Sequence, residues 1–179
     1  DAYLPALTQE LKNLGIAVAA MAIIVPTASA QAQNVGGAPN YGDVSLRSGF
    51  TPDPRTWSVQ AGGSVDVSQT IGGSCVGHVS ETPDLRLRYQ AGSLPLFISA
   101  TSNSDTTLVV NAPDGRWYCD DDSEGLNPRV VFTNPSSGRY EIWIGTYSEG
   151  QMRAATLSVS EIDGNASNGG SGGNGGDGG

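Results

Sequence analysis

Apolar residues recur with period two through the middle of this chain. Leu85, Leu87 and Tyr89 alternate with Arg86 and Arg88, and Leu94, Leu96 and Ile98 alternate with Pro95, Phe97 and Ser99. Further on, Tyr140, Ile142 and Ile144 alternate with Glu141 and Trp143, and Leu157 and Val159 alternate with Ser158 and Ser160. Such alternation predicts strands with one face on a core and one nearer solvent. Shorter strands are predicted at 44–46, 56–60, 64–70, 107–111 and 129–133. Between them, Ala61-Gly62-Gly63, Ala91-Gly92, Pro113-Asp114-Gly115, Asn134-Pro135 and Ser136-Ser137-Gly138 supply turn chemistry. Nothing after Pro26 shows helical spacing. Eight or nine short strands with one apolar face each predict an all-β fold, an antiparallel β-sandwich or jelly roll.

The two ends break this pattern. Lys12 precedes an apolar run from Leu14 to Val25, Pro26 ends it, and Ala28-Ser29-Ala30 offers a small-x-small cleavage pattern before Gln31. Residues 1–30 therefore read as an export signal helix with an upstream extension. The run of about twelve residues is short of the about 20 needed to span a bilayer. Residues 31–42 are the expected start of the mature protein and 43–163 the sandwich. Residues 164–179 form a Gly/Asn/Ser tail with nothing to bury, expected to be disordered. Within the tail, Asn165-Ala166-Ser167 matches a glycosylation acceptor, a weak signal by itself.

Composition narrows the function. The 179 residues carry a formal charge of −9, with Lys12 the single lysine. Nucleic-acid binding is not expected, because phosphate contacts need basic surface. Two cysteines, Cys75 and Cys119, fit a disulfide in an exported chain. Bridging them closes a loop of roughly 45 residues, for which the chain-entropy model gives about 4 kcal/mol. Two separate buried thiols are the alternative. Zinc is not expected, since two cysteines and one histidine without Cys-x-x-Cys spacing are too few soft ligands.

The chemistry concentrates in one segment. From Asp114 to Pro128 there are five acids, Asp114, Asp120, Asp121, Asp122 and Glu124, with one arginine and Cys119. Two carboxylates about 5 Å apart repel by roughly 3 kcal/mol at an effective dielectric of about 20. The cluster must stay solvated, find cations or hold a hard metal. Calcium takes six to eight hard oxygens, which this segment can supply with Asn127. An EF-hand is excluded, because the twelfth position from Asp120 is Val131 and no helices flank the loop. The bland alternative is a solvated loop whose carboxylates cap turns.

These residues, taken in order, resemble a known family. The stretch from Asp105 through Pro113-Asp114-Gly115, then Asp120-Asp121-Asp122, then Gly138-Arg139-Tyr140 with Ile142 and Ile144, resembles the bacterial pre-peptidase C-terminal domain over roughly 57–161. Tyr41-Gly42-Asp43, the Cys75 segment and Trp117-Tyr118-Cys119 also resemble short secreted bacterial proteins that carry a lone domain of this kind. The resemblance implies a jelly-roll sandwich beside extracellular hydrolases, often calcium-stabilised and not catalytic. It favours Asp105, Asp121 and Asp122 as ligands. No protease domain accompanies it here.

Other chemistries fit less well. A trypsin-like protease needs separated His, Asp and Ser, whereas Asp122-Ser123-Glu124-Gly125 is only superficially like its serine loop and His78 is the single histidine. Paired acids for glycoside hydrolysis should face each other across a groove, and these bunch in one loop. A glycan-binding face is a further candidate. If Ile142 and Ile144 face the core, Trp143 points away, and Trp57 and Tyr147 are candidates to join it as a stacking platform. The alternative is that Trp143 is itself buried under a second layer. Arg86 and Arg88 are candidates to pair with Glu141 or Asp84.

The reading is a secreted bacterial protein, extracellular or periplasmic, free of the membrane after signal cleavage. It is a non-catalytic sandwich with structural Ca²⁺ among Asp105, Asp114, Asp120, Asp121, Asp122 and Asn127, and with a polysaccharide or another secreted protein as a possible partner. A glycan-binding or adhesive module and a self-assembling extracellular subunit are its rivals.

Overall fold

In a computed structural model, described for residues 32–164, the chain is an all-β sandwich. The readings of residues 1–30 and of the tail beyond Gly164 lie outside the described residues. The strands are β1 (Asp43–Arg47), β2 (Arg55–Ala61), β3 (Val65–Asp66), β4 (His78–Val79), β5 (Leu85–Gln90), β6 (Leu96–Ser102), β7 (Thr106–Asn111), β8 (Trp117–Asp120), β9 (Arg129–Phe132), β10 (Gly138–Thr146) and β11 (Arg153–Ser160). A single helical turn, α1 (Val67–Thr70), lies between β3 and β4.

Two sheets face each other. One has the order β2-β11-β6-β9. The other is organised around β10, which pairs with β5 and β4 along one edge and with β7 along the other; β1 extends it beyond β5, β8 beyond β7 and β3 beyond β4. The period-two residues meet between the sheets. Leu85, Leu87, Leu96, Ile98, Leu108, Val110, Ile142, Ile144, Leu157 and Val159 form one buried cluster with Tyr89 and Tyr140. Each fully buried side chain of this size contributes about 1.5–3 kcal/mol of transfer free energy.

The structure departs from the sequence expectation in four places. It has eleven strands among the described residues, more than the eight or nine expected. Segment 64–70 is not one strand: after Val65–Asp66 the Asp66 carboxylate accepts from the Ser68 N–H and caps α1. Trp117–Asp120 is a strand, because Pro113-Asp114-Gly115 turns the chain back so that Trp117 lies opposite Asn111. Gly115 takes φ +79°, a conformation costly for any residue with a Cβ. Finally, β1 joins β5 in parallel, so the sheet is mixed.

A second buried cluster lies on the opposite face of the β10 sheet. Val65, Val67, Cys75 and Val79 cover Val109 and Trp143, with Trp117 and Cys119 packed alongside. The segment 65–79 reaches this face through β4 at the end of β10, where a Cβ on Gly145 would sit 2.5 Å from the His78 carbonyl oxygen. The disulfide between Cys75 and Cys119, with Cα atoms 5.2 Å apart, fastens the segment to β8.

The junction between β5 and β4 along β10 is closed by Asp84. Its backbone N–H donates to the Ile142 carbonyl, and its carboxylate accepts from the Ile144 N–H at 2.7 Å and from Asn40 Nδ2 at 3.1 Å. A side chain thus stands in for a strand at that point of the ladder. Burial pushes the Asp84 carboxyl up to about 6, with the Ile144 hydrogen bond opposing it.

Candidate functional site

Three of the acids gather at one end of β7 and β8. The ladder pairs Leu108 with Asp120, so the chain leaving β8 runs on past Asp120 toward the start of β7, which Asp105 precedes. The Asp105 carbonyl accepts from the Tyr147 N–H just beyond β10, and Thr106 N–H donates to the Leu126 carbonyl. Both contacts tie the loop across the sheet end. Cys119 opposes Val109 one step inside the ladder, so the disulfide anchors the loop at its root.

Like charges act on each other there. Asp105 has its carboxyl raised above the ordinary value by desolvation first and by Asp122 second. Asp121 is raised by desolvation, then by Asp122, Asp120 and Asp105. The Asp105 Oδ1 atom is buried and has no hydrogen-bond partner. Nearly all buried polar atoms find a partner, so this oxygen leaves the cluster under-compensated.

The other expected ligands do different work. Asp120 is a loop staple: its Oδ2 accepts from the Ser123 N–H at 3.2 Å and the Arg129 N–H at 2.7 Å. Asn127 Oδ1 accepts from Ser102 N–H at 2.8 Å, and its backbone pairs with Glu124. Asp114 sits at the β7–β8 turn, where its Oδ1 accepts from the Arg116 N–H. The six residues of β7 separate it from Asp105, about 20 Å of strand. The structure therefore gathers Asp105, Asp121 and Asp122 and leaves Asp114 apart. Arg129 offsets the far side of the loop, pairing with Glu124 and with Asp163. Among the described residues, no three acid, imidazole or thiol side chains converge as a formed metal cage. The three carboxylates do fit a hard cation by donor type and charge.

The aromatic platform does not form. Trp143 is 0% exposed and stacks at a tilt on Trp117, ring centroids 5.5 Å apart. Alternation correctly turns it away from the inter-sheet core, but the disulfide-fastened segment covers that side too. Trp57 packs on the inter-sheet cluster, and Tyr147 alone of the three is exposed. Ser123 is exposed on the acidic loop, while His78 lies half-buried in β4.

Of the expected arginine pairings, Arg86 with Glu141 forms, while Arg88 and Asp84 each take other partners. Arg86 Nε meets Glu141 Oε1 at 2.6 Å in a buried ion pair, and its Nη2 donates to the Val35 and Gly37 carbonyls. Arg88 forks onto Asp43 at 2.9 and 2.8 Å. Asp84 takes backbone and amide donors instead of a guanidinium. Asp43 lies two residues before Ser45 on a period-two strand, which places it on the same face as Arg88.

Comparison with known proteins adds little. No family model matches the chain, and no curated protein matches it. Among solved structures the chain is similar to PliG of Aeromonas hydrophila, a periplasmic lysozyme inhibitor of g-type lysozyme. The two are 13% identical, with 66% of this chain and 96% of that one covered, at a TM-score of 0.34. A likeness that weak decides neither fold nor function.

Proposed function

We propose that this is an exported, non-catalytic β-sandwich of the pre-peptidase C-terminal type, an accessory domain for extracellular hydrolases, whose acidic loop takes up Ca²⁺ as a structural ion. The observation that carries the ion is the buried, unpartnered Asp105 Oδ1 in the field of Asp121 and Asp122. Asp105, Asp121 and Asp122 would hold it; the remaining oxygens come from backbone carbonyls or water. The ion supplies charge neutralisation, no chemistry. The export-signal pattern and the single disulfide support the oxidising, calcium-rich surroundings in which such a site fills.

Binding to the folded state alone raises stability by mass action, by about 2.7 kcal/mol at a hundredfold excess over Kd. Thermal melts in millimolar Ca²⁺ and in chelator test this. The midpoint is expected to rise with Ca²⁺ in the natural chain and to stay put in Asp105→Asn/Asp121→Asn. An unchanged midpoint in the natural chain rejects the ion.

A further inference from the structure

The geometry points to a binding groove for an acidic sugar chain on the outer face of β1, β5 and β10, built around Arg47, Arg88 and Arg139. The registers place three rows across these strands: Asp43, Arg86 and Glu141; Ser45, Arg88 and Arg139; then Arg47 beside Gln90. Four of the chain's eight arginines share this face with two carboxylates. Glu141 serves both Arg86, at 2.6 Å, and Arg139, at 2.9 Å, while Asp43 serves Arg88. Among the described residues Arg47 has no carboxylate partner. The face is therefore positive in a chain of formal charge −9.

The face carries a shallow, wide-open depression. Ser45, Leu46, Arg47, Arg88, Gln90 and Arg139 line an open groove of about 660 Å³. The Arg88 and Arg139 side chains are 55% and 46% exposed, so donors left over from their ion pairs reach solvent. A guanidinium presents a planar fork that matches a carboxylate. Ser45 and Gln90, unengaged by other side chains among the described residues, add neutral donors and acceptors suited to hydroxyls. Carboxylate forks alternating with hydroxyl partners describe a uronic acid repeat better than a bare anion. The rest of the molecule repels polyanions at long range, so attraction acts only within about a Debye length of the groove, about 10 Å at 0.1 M salt.

This site is separate from the acidic loop, and its test keeps the two apart. Binding of a galacturonic acid oligomer, its methyl ester and polyglutamate is measured calorimetrically at low salt in chelator, so that no calcium bridge to the acidic loop contributes. The natural chain is expected to bind the acid oligomer, to ignore the ester and to bind polyglutamate at least tenfold more weakly. Arg47→Glu, which breaks no ion pair, is expected to fold normally and to lose at least tenfold in affinity; Arg139→Gln should lose several-fold. No binding by the natural chain, undiminished binding by Arg47→Glu, or polyglutamate binding as tightly as the sugar would each overturn the proposal, the last by making the occupant an acidic protein segment.

Discussion

The two faces of β10 are buried in different ways. Tyr140, Ile142 and Ile144 enter the inter-sheet core, where neighbouring strands supply regular apolar rows. Trp143, pointing the other way, is covered by a segment with two-residue strands and one helical turn, fastened by Cys75–Cys119. The first core is held by pattern and the second by a covalent tie. A sheet of this size can bury both faces at one end while leaving the other end to solvent, and that open end is where the arginines stand.

Removing the tie should separate the two cores most sharply. Cys75→Ser/Cys119→Ser gives up a loop of 44 residues, about 4 kcal/mol in the chain-entropy model. Its expected signature is local: tryptophan emission in a Trp57→Phe background shifts to the red as Trp117 and Trp143 lose cover, while far-ultraviolet dichroism keeps its strand signal. Leu157→Ala should do the reverse. Leu157 is fully buried between the sheets, so about 3 kcal/mol is lost, and a denaturant melt should show global loosening with native-like emission before the transition.

Asp84 sits where the two regions meet and gives the comparison a pH axis. Its folded-state carboxyl titrates near 6 against an ordinary 3.8, so the native state holds the proton more tightly than the unfolded chain. Stability from this group is therefore greatest at low pH, falls as pH rises from about 4 to 6, and stays reduced above that, by at most about 2–3 kcal/mol. Asp105 and Asp121 are raised too and add the same sign. Asp84→Asn should flatten part of the slope in urea melts taken across that range. The smallest effect belongs to Arg47→Ala, expected within about 0.5 kcal/mol by the same melts, since no ion pair holds it.

Most of the inter-sheet core was legible because burial on one side writes itself into alternate residues, as in Leu85, Leu87 and Tyr89. The cap was not. Val65 and Val67 read as one short strand that the structure breaks into two residues and a helical turn, Cys75 and Val79 carry no clear pattern, and only their meeting with Trp143 and Cys119 gives them a purpose. The alternation puts Trp143 on the outward side of its strand and leaves open whether it is an exposed stacking face or a residue under a covering segment; the structure shows the second, and a single strand does not reveal what crosses over it. In the acidic segment, composition identified the crowding of charge but not its division of labour. Asp120 staples the loop and Asp114 shapes a distant turn, and both roles depend on where backbone N–H groups fall after folding. The arginine face is not legible in the sequence for a similar reason: Arg47, Arg88 and Arg139 come from three strands far apart along the chain.

One contact sets a practical boundary on this domain. Arg86 spends a guanidinium nitrogen on the carbonyls of Val35 and Gly37, well ahead of β1. Shortening the chain up to Asn34 leaves that nitrogen its acceptors, whereas cutting past Gly37 strips both from an arginine whose carboxylate partner, Glu141, is already enclosed. The sandwich thus extends several residues beyond its first strand, and trimming past Gly37 should yield an unstable product even though no strand has been touched.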